Sequence, residues 1–211
     1  MSSDNVGVAA FDFDGTLVDG DSLPRYLSQL LGPRRFGAAL GRSVPAMLSG
    51  YRGSGRDGAK AALLERSVAG VPVAHATTVG ERFAAQLASE IRPEMVERLA
   101  WHHDAGHRTV LVSASLALYL EPFGKLIGFD DVICTRLEVG PEGLLTGRLQ
   151  GENVRAEQKA LQLGRLLGSE QVTMWAYGDS RGDREMLAMA DHPTRVRRVG
   201  RRRQLGLNGR S

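Results

Sequence analysis

The 211-residue sequence predicts an α/β protein: a Rossmann-like, three-layer core on a parallel sheet, with a helical segment inserted after the first strand. Three observations carry that prediction. After Pro93, short apolar runs alternate with stretches of helical periodicity, the rhythm of a parallel sheet with helices on both faces. Ser22 to about Ile91 differs, with leucines and alanines at helical spacing and no strong strand pattern. The apolar runs ending near Phe11, Val112 and Tyr177 each pass into Asp or Ser, at the carboxyl strand ends where ligands of such sheets collect.

Taken in chain order, Val6 to Phe11 reads as a buried strand stopped by the turn residues Asp12-Phe13-Asp14-Gly15. Several short helices occupy Ser22 to Ile91, interrupted by Gly32-Pro33, Pro45, Gly53-Ser54-Gly55 and Gly70-Val71-Pro72. Glu94 to His103 is helical, Thr109 to Val112 a strand, Leu116 to Ile127 a helix and Val132 to Cys134 a strand. Pro141-Glu142-Gly143 between two apolar patches predicts a hairpin over Arg136 to Gln150. A helix from about Arg155 to Leu167, a strand from Val172 to Tyr177, a helix from Asp183 to Ala190 and a short strand near Val196 complete the pattern. The expected division is a core of residues 1–21 and 92–200, a helical insertion of 22–91 and a basic tail of 201–211.

Hydrophobic residues at 42% and charged residues at 24% strike the balance of an ordinary soluble globular protein. No apolar run approaches the roughly 18 residues needed to cross a bilayer, and Asp4 interrupts the N-terminus as a secretory signal. The single cysteine, Cys134, excludes an internal disulfide framework and fits a reducing compartment, so a cytoplasmic protein is expected. From Thr194 to Ser211 there are seven arginines and no acidic residue, so the net charge of +3 becomes −4 for the rest of the chain. Such a block can grip nucleic acid or acidic lipid. More often it is solvated and disordered, and that reading is preferred.

Asp12 and Asp14 carry the strongest chemical signal. Two carboxylates one residue apart at a strand end repel each other unless a cation or a substrate offsets them. Strand alternation turns both to one side while Phe13 packs the other way. Asp-x-Asp alone reads as a solvated turn, but the run Asp12-Phe13-Asp14-Gly15-Thr16-Leu17 after a buried strand is far more demanding. Tyr177-Gly178-Asp179-Ser180-Arg181-Gly182-Asp183 comes directly after another apolar strand and sets Asp179 to meet a cation held by Asp12. Oxygen ligands without nearby cysteine or clustered histidine favour magnesium over zinc. Asp183 opens a helix, where a carboxylate is also a good cap. Ser113 ends a strand shortly before a helix, and suits either a cap or a hold on phosphate oxygens at the helix N-terminus. Lys159, alone, reads as a solvated helical lysine. Beside phosphate and carboxylates it would neutralise developing charge.

The series Asp12-Phe13-Asp14-Gly15-Thr16, then Ser113, then Lys159, then Gly178-Asp179 with Asp183 four residues on, resembles the four motifs of the haloacid dehalogenase superfamily of phosphohydrolases. The resemblance runs from about Val6 to Val199. The helical segment lies between the first and second motifs, where that superfamily places a helical cap. With the Gly178-Asp179-Ser180 form, this is similar to the phosphoserine-phosphatase-like branch (subfamily IB). The resemblance implies a magnesium-dependent phosphomonoesterase acting on a small phosphorylated metabolite through an aspartyl phosphate. It implies Asp12 as nucleophile and Asp14 as general acid and base. Magnesium would rest on Asp12, the backbone carbonyl of Asp14, and Asp179. Ser113 and Lys159 would hold phosphoryl oxygens, with Asp183 in support.

This chain departs from the branch at two positions. Phosphoserine phosphatases carry Glu seven residues after the second aspartate, where this chain has the shorter Asp21, a candidate for substrate contact. They usually carry Asn immediately before the last aspartate, where this chain has Gly182. Both changes argue against phosphoserine as substrate and leave the core chemistry intact. Other features have blander readings. His102, His103 and His107 invite a zinc site, but Gly106 ends the helix between them and no Glu or Cys completes a ligand set. Leu30 to Leu48 mixes Arg34, Arg35 and Arg42 with apolar residues, and suits packing on neighbouring helices better than a lipid surface. Trp101, Cys134 and Trp175 read as buried. The alternatives are a lipid-phosphate phosphatase or a phosphotransferase, and beyond enzymes a binding protein whose arginine-rich tail grips nucleic acid.

Overall fold

The computed structural model describes residues 6–42 and 55–197. Six strands, β1 (Val6–Phe11), β2 (Arg108–Leu116), β3 (Asp131–Val139), β4 (Leu145–Gln150), β5 (Val172–Gly178) and β6 (His192–Arg195), form one sheet. Their order is β4-β3-β2-β1-β5-β6. All neighbours are parallel except β3 and β4, the hairpin marked by Pro141-Glu142-Gly143. The helices are α1 (Ser22–Leu31), α2 (33–42), α3 (Gly55–Val68), α4 (Val73–Ala88), α5 (Pro93–Asp104), α6 (Ala117–Ile127), α7 (Glu157–Leu167) and α8 (Arg184–Met189).

The apolar run of β1 is a consequence of its central place. Val8 and Ala10 face one core with Leu163, Leu167 and Met186, whereas Ala9 and Phe11 face a second with Leu99, Leu120 and Phe123. A strand covered on both faces cannot alternate polar with apolar, and all four of these β1 residues are fully buried. The second core continues into the inserted helices through Leu27, Leu64 and Phe83.

The chain enters those helices after Val18 and returns at Ile91, and these two residues pair in an antiparallel bridge. Backbone contacts are among those that hold the helices down. Helix α4 lies so close to α6 that a Cβ at Gly80 would sit 2.0 Å from the Leu118 carbonyl oxygen. The α3–α4 turn is bonded to the β3–β4 hairpin, with Gly70 N donating to Leu145 O at 2.9 Å and Val73 N to Gly143 O at 2.9 Å.

Two expectations are corrected. Strand β2 runs to Leu116, past the expected end at Val112, because its register with β3 jumps between Ser113 and Leu116. Trp101 is not core: it is 43% exposed at the end of α5, with Arg98 over its ring and Trp175 and His107 at its edges. The expected short strand near Val196 is present as β6, which ends at Arg195, and the Val196 N–H then donates to Gly178 O at 2.8 Å. On α2, Phe36 packs on the second core while Arg34, Arg35 and Leu40 are exposed. Residues 43–48 of the stretch Leu30 to Leu48 and the tail 201–211 lie outside the described residues. No helix among the described residues is long and apolar enough to cross a membrane.

His102 is fully buried, with Nδ1 2.8 Å from His107 Nδ1 and Nε2 2.9 Å from the Tyr177 hydroxyl. Its ring nitrogens serve this internal network rather than a metal. Burial, and then the charges of His107, Arg98 and His103, push its pKa down to about 4. The folded protein therefore resists a proton that the unfolded chain accepts near pH 6.5. This contribution is complete above about pH 6.5 and declines as pH falls toward 4, by at most about 1.4 kcal/mol per pH unit. Urea unfolding across this range should show a shallower acid decline for His102→Gln than for the parent protein. Identical slopes would remove His102 as a cause of acid sensitivity.

Candidate active site

Strands β2, β1 and β5 are neighbours, so their carboxyl ends bring Ser113, Asp12 and Asp179 to one edge of the sheet. Asp12 continues the ladder one residue beyond β1, its N–H donating to Tyr177 O at 2.9 Å. Asp12, Asp179 and Asp183 are buried, and each offers a carboxylate oxygen within 4.8 Å of the others. That approach depends on Gly178, where a Cβ would lie 2.5 Å from Asp183 Cβ.

Lys159 reaches this cluster from the first turn of α7. Its Nζ donates to Asp12 Oδ1 at 2.5 Å and Asp183 Oδ1 at 2.6 Å, and the residue is 2% exposed. It is not the solvated lysine its helix suggests. The other oxygen of Asp183 accepts from Ser180 N at 2.9 Å and Ser180 Oγ at 2.8 Å. Asp183 therefore closes a reciprocal box around the turn Arg181–Asp183, and its side chain does not cap α8. Ala156, just before α7, has φ 51° and ψ −124°, and its N–H donates to Gly182 O at 3.0 Å. A non-glycine residue there costs about 1–3 kcal/mol, a strain that survives only where surrounding contacts enforce it. The start of the lysine helix is thus tied to the turn that carries Asp183.

The electrostatics separate the carboxylates. Burial raises Asp12 above its ordinary range, against the attraction of Lys159 and with further repulsion from Asp183. Burial also opposes the charge on Asp183, but Lys159 and the Ser180 bonds outweigh it and keep this group ionised. For Lys159, burial works against the proton, and the two carboxylates more than compensate.

Asp14 occupies a different environment. Its Oδ1 accepts from Ser22 N at 2.9 Å, and its Oδ2 from Ser115 Oγ at 2.7 Å and Ser22 Oγ at 3.1 Å. The Ser22 hydroxyl also lies 2.9 Å from the Tyr119 hydroxyl. Burial first, and then the charge of Asp21, push the Asp14 carboxyl up to about 7, although the Ser115 and Ser22 hydrogen bonds pull the other way. A group poised there can give or take a proton near neutrality. Asp21 is exposed, and its Oδ1 accepts from Leu23 N at 3.1 Å as the cap of α1. Ser113 is not a helix cap. Helix α6 begins at Ala117 with Leu116 before it, and Ser113 Oγ accepts from Ser115 N at 3.0 Å.

Several residues of this region carry little sequence signal. Thr16 donates its hydroxyl to Asp12 Oδ2 at 3.0 Å, a role inside the first motif that its neighbours conceal. Arg92, 6% exposed, donates to Gly15 O at 3.1 Å and Arg197 O at 3.0 Å, and pins the motif turn from the far end of the insertion. Ser22 and Ser115 hydrogen-bond Asp14 from separate segments, the Tyr119 hydroxyl reaches that of Ser22, and Lys60 reaches this region from α3.

Buried strand-end carboxylates around one lysine, on this sheet order, agree with the sequence comparison. The chain belongs to the haloacid dehalogenase-like hydrolase family, whose family model matches residues 9–188. It is similar to Protein CicA of Caulobacter vibrioides, 37% identical over 186 residues that span 87% of this chain and 83% of CicA. A histidinol-phosphatase of Neisseria meningitidis is 28% identical over 122 residues, 55% of each chain. Its fold resembles that of a Bordetella pertussis protein of unknown function, with TM-score 0.72, 21% identity and coverage of 88% and 87%. It also resembles the phospho-aspartyl intermediate analogue of a phosphoserine phosphatase, with TM-score 0.59, 20% identity and coverage of 88% and 84%.

Removing Lys159 would leave Asp12 and Asp183 facing each other across its position. Lys159→Met should lower unfolding free energy by about 3–5 kcal/mol near neutral pH, the usual cost of breaking a buried pair. The loss should shrink at mildly acidic pH, where Asp12 takes a proton. Denaturant titration at both pH values checks this, and unchanged stability at neutral pH would show that Lys159 is not the group holding the carboxylates together.

Proposed function

We propose that this chain is a magnesium-dependent phosphomonoesterase that hydrolyses a small phosphorylated metabolite through an aspartyl phosphate on Asp12. The observation that carries this reading is the contrast between two nearby carboxylates. Burial raises both carboxyls, to about 6 and about 7, but Asp12 lies against the ammonium of Lys159 whereas Asp14 sits among hydroxyls. Two titratable groups with separated environments are the mark of divided roles.

Asp12 attacks phosphorus, forming an acyl phosphate as the ester P–O bond breaks. Asp14 gives its proton to the leaving oxygen, then takes one from the water that attacks the acyl phosphate and frees Asp12. Lys159 and the Ser113 hydroxyl hold phosphoryl oxygens, and Asp183 keeps Lys159 in place. Asp12, the backbone carbonyl of Asp14, and Asp179 would hold magnesium. Their all-oxygen donor set, with the buried carboxylates of Asp12 and Asp179 in a cluster with Asp183 whose oxygens lie within 4.8 Å of one another, suits a hard divalent cation. When bound, that cation screens the repulsion between carboxylate and phosphate.

On this reading residues 1–21 and 92–200 are the catalytic core and 22–91 a cap that selects the substrate, with Asp21 at its entry. A phosphatase among the curated relatives and a phospho-aspartyl analogue on this fold support the chemistry. A reducing cytoplasmic setting suits the lone buried thiol of Cys134.

Hydrolysis of p-nitrophenyl phosphate should vanish with a chelator and return with magnesium. Asp12→Asn should lose roughly 10³-fold or more while remaining folded. Full turnover in metal-free buffer would remove the hard-cation argument.

Asp14→Asn separates the two roles. Nitrophenolate leaves without a proton, so this variant should still transfer phosphate to Asp12 and release a burst of about one equivalent, and then turn over slowly. An alkyl phosphate should show a weak burst as well as slow turnover. Equal losses for both esters, with no burst, would sink the acid–base role of Asp14.

A further inference from the structure

We propose that Lys60, on the inserted helix α3, is a positioning residue that orients the Ala114–Ser115 peptide and through it the phosphate-binding hydroxyl of Ser113. The inference rests on the phosphatase reading, which assigns phosphoryl oxygens to Ser113.

The register of β2 with β3 supplies the first step. It passes from Ser113 opposite Cys134 directly to Leu116 opposite Thr135, so Ala114 and Ser115 bulge from the ladder. Backbone groups there must find partners elsewhere. Ser115 N–H donates to Ser113 Oγ at 3.0 Å, and Ala114 O accepts from Lys60 Nζ at 2.5 Å. That carbonyl and that N–H belong to one planar trans peptide and point in opposite directions. Lys60, by holding the carbonyl outward, holds the N–H toward Ser113. The N–H then occupies a lone pair of Ser113 Oγ, which leaves the hydroxyl proton as the group Ser113 offers to a phosphoryl oxygen.

Lys60 is itself gripped from the core. Its Nζ also donates to Asn153 Oδ1 at 2.6 Å. Asn153 Nδ2 donates to Asp57 Oδ1 at 2.7 Å, and Thr135 Oγ1 donates to Asn153 Oδ1 at 3.0 Å. Asp57 and Lys60, one turn apart on the same face of α3, clasp the segment that leads into α7 and Lys159. One ammonium therefore links the β2 bulge beside Ser113 to the segment that leads into α7 and Lys159. Lys60 is half-buried, and desolvation pulls it down to about 8, against the charges of Asp57, Asp14 and Asp21. Arg155 lies beyond, 3.9 Å from Asp57. A helical lysine with no role beyond solubility would extend into water.

The test compares inorganic phosphate binding by calorimetry, in the presence of magnesium, with steady-state hydrolysis of p-nitrophenyl phosphate. In Lys60→Met the phosphate Kd and the ester KM should both rise about tenfold or more, the loss expected when a charge-assisted hydrogen bond is removed. The kcat should fall less, because Asp12 and Asp14 are untouched. Should that variant not fold, Asn153→Ala loosens the same lysine from the core and should shift both constants in the same direction. Unchanged phosphate affinity in a folded variant overturns the inference, as does a loss confined to kcat. If the parent protein binds phosphate but hydrolyses no ester, the phosphatase reading fails while the phosphate Kd still decides the role of Lys60. A parent protein that binds no phosphate overturns the inference as well.

Discussion

The buried arrangement of Asp12, Lys159 and Asp183 is the constraint on which the rest of this structure depends. Carboxylates do not gather away from water unless cations and hydrogen bonds offset the loss of hydration. Lys159, itself buried, touches two of them, so its helix must start at one place and point one way. The consequences reach into the backbone. Ala156 is driven to a positive φ where α7 begins, and its N–H is tied to Gly182 on the turn bearing Asp183. Gly178 has no side chain because Asp183 occupies the space one would need.

Asp14 lies two residues from Asp12 yet answers to different neighbours. Asp12 is set by an ammonium within the core, whereas Asp14 is set by Ser22, Ser115 and Tyr119. Hydroxyls can accept or donate, so they tolerate Asp14 in either protonation state, which a fixed cation would not. Asp21 adds repulsion from the exposed end of α1 and helps to keep the Asp14 proton available. The short Asp21 side chain thus does two things at once: it caps the helix and biases the carboxyl that faces it.

Much of this was legible in the sequence, for identifiable reasons. The strand β1 announces itself because a strand buried on both faces must be continuously apolar. The insertion stands apart because its run of short helices without a strong strand pattern contrasts with the strand–helix alternation after Pro93. Asp12, Asp14, Asp179 and Asp183 stand out because acidic residues directly after apolar strands are costly without a purpose. Other residues were illegible because their roles arise only from tertiary approach. Ser22, Ser115 and Tyr119 are ordinary residues until three segments converge. Trp101 looked like core because tryptophan usually is, yet it lies at a helix end where its ring covers Trp175 and His107 only at the edge. The bulge at Ala114 and Ser115 leaves no mark in composition, and it is what separates Ser113 from the cap of α6.

The inserted helices share the second hydrophobic core with β1 and α6, through Tyr26, Phe83 and Tyr119 in mutual ring contact. Such apolar packing is non-directional and tolerates small displacements more readily than a hydrogen bond does. The polar contacts of Asp57 and Lys60 are directional, and they fall on the core loops beside Ser113 and Lys159 rather than on the apolar seam. Packing thus holds the insertion against the core, while the polar contacts specify its alignment. If the insertion selects substrate, a shift of α3 that breaks the Lys60 bonds also releases the Ala114–Ser115 peptide. Substrate choice and phosphate binding then share one element, which is a physical reason for a half-buried lysine to sit on a helix otherwise remote from the chemistry.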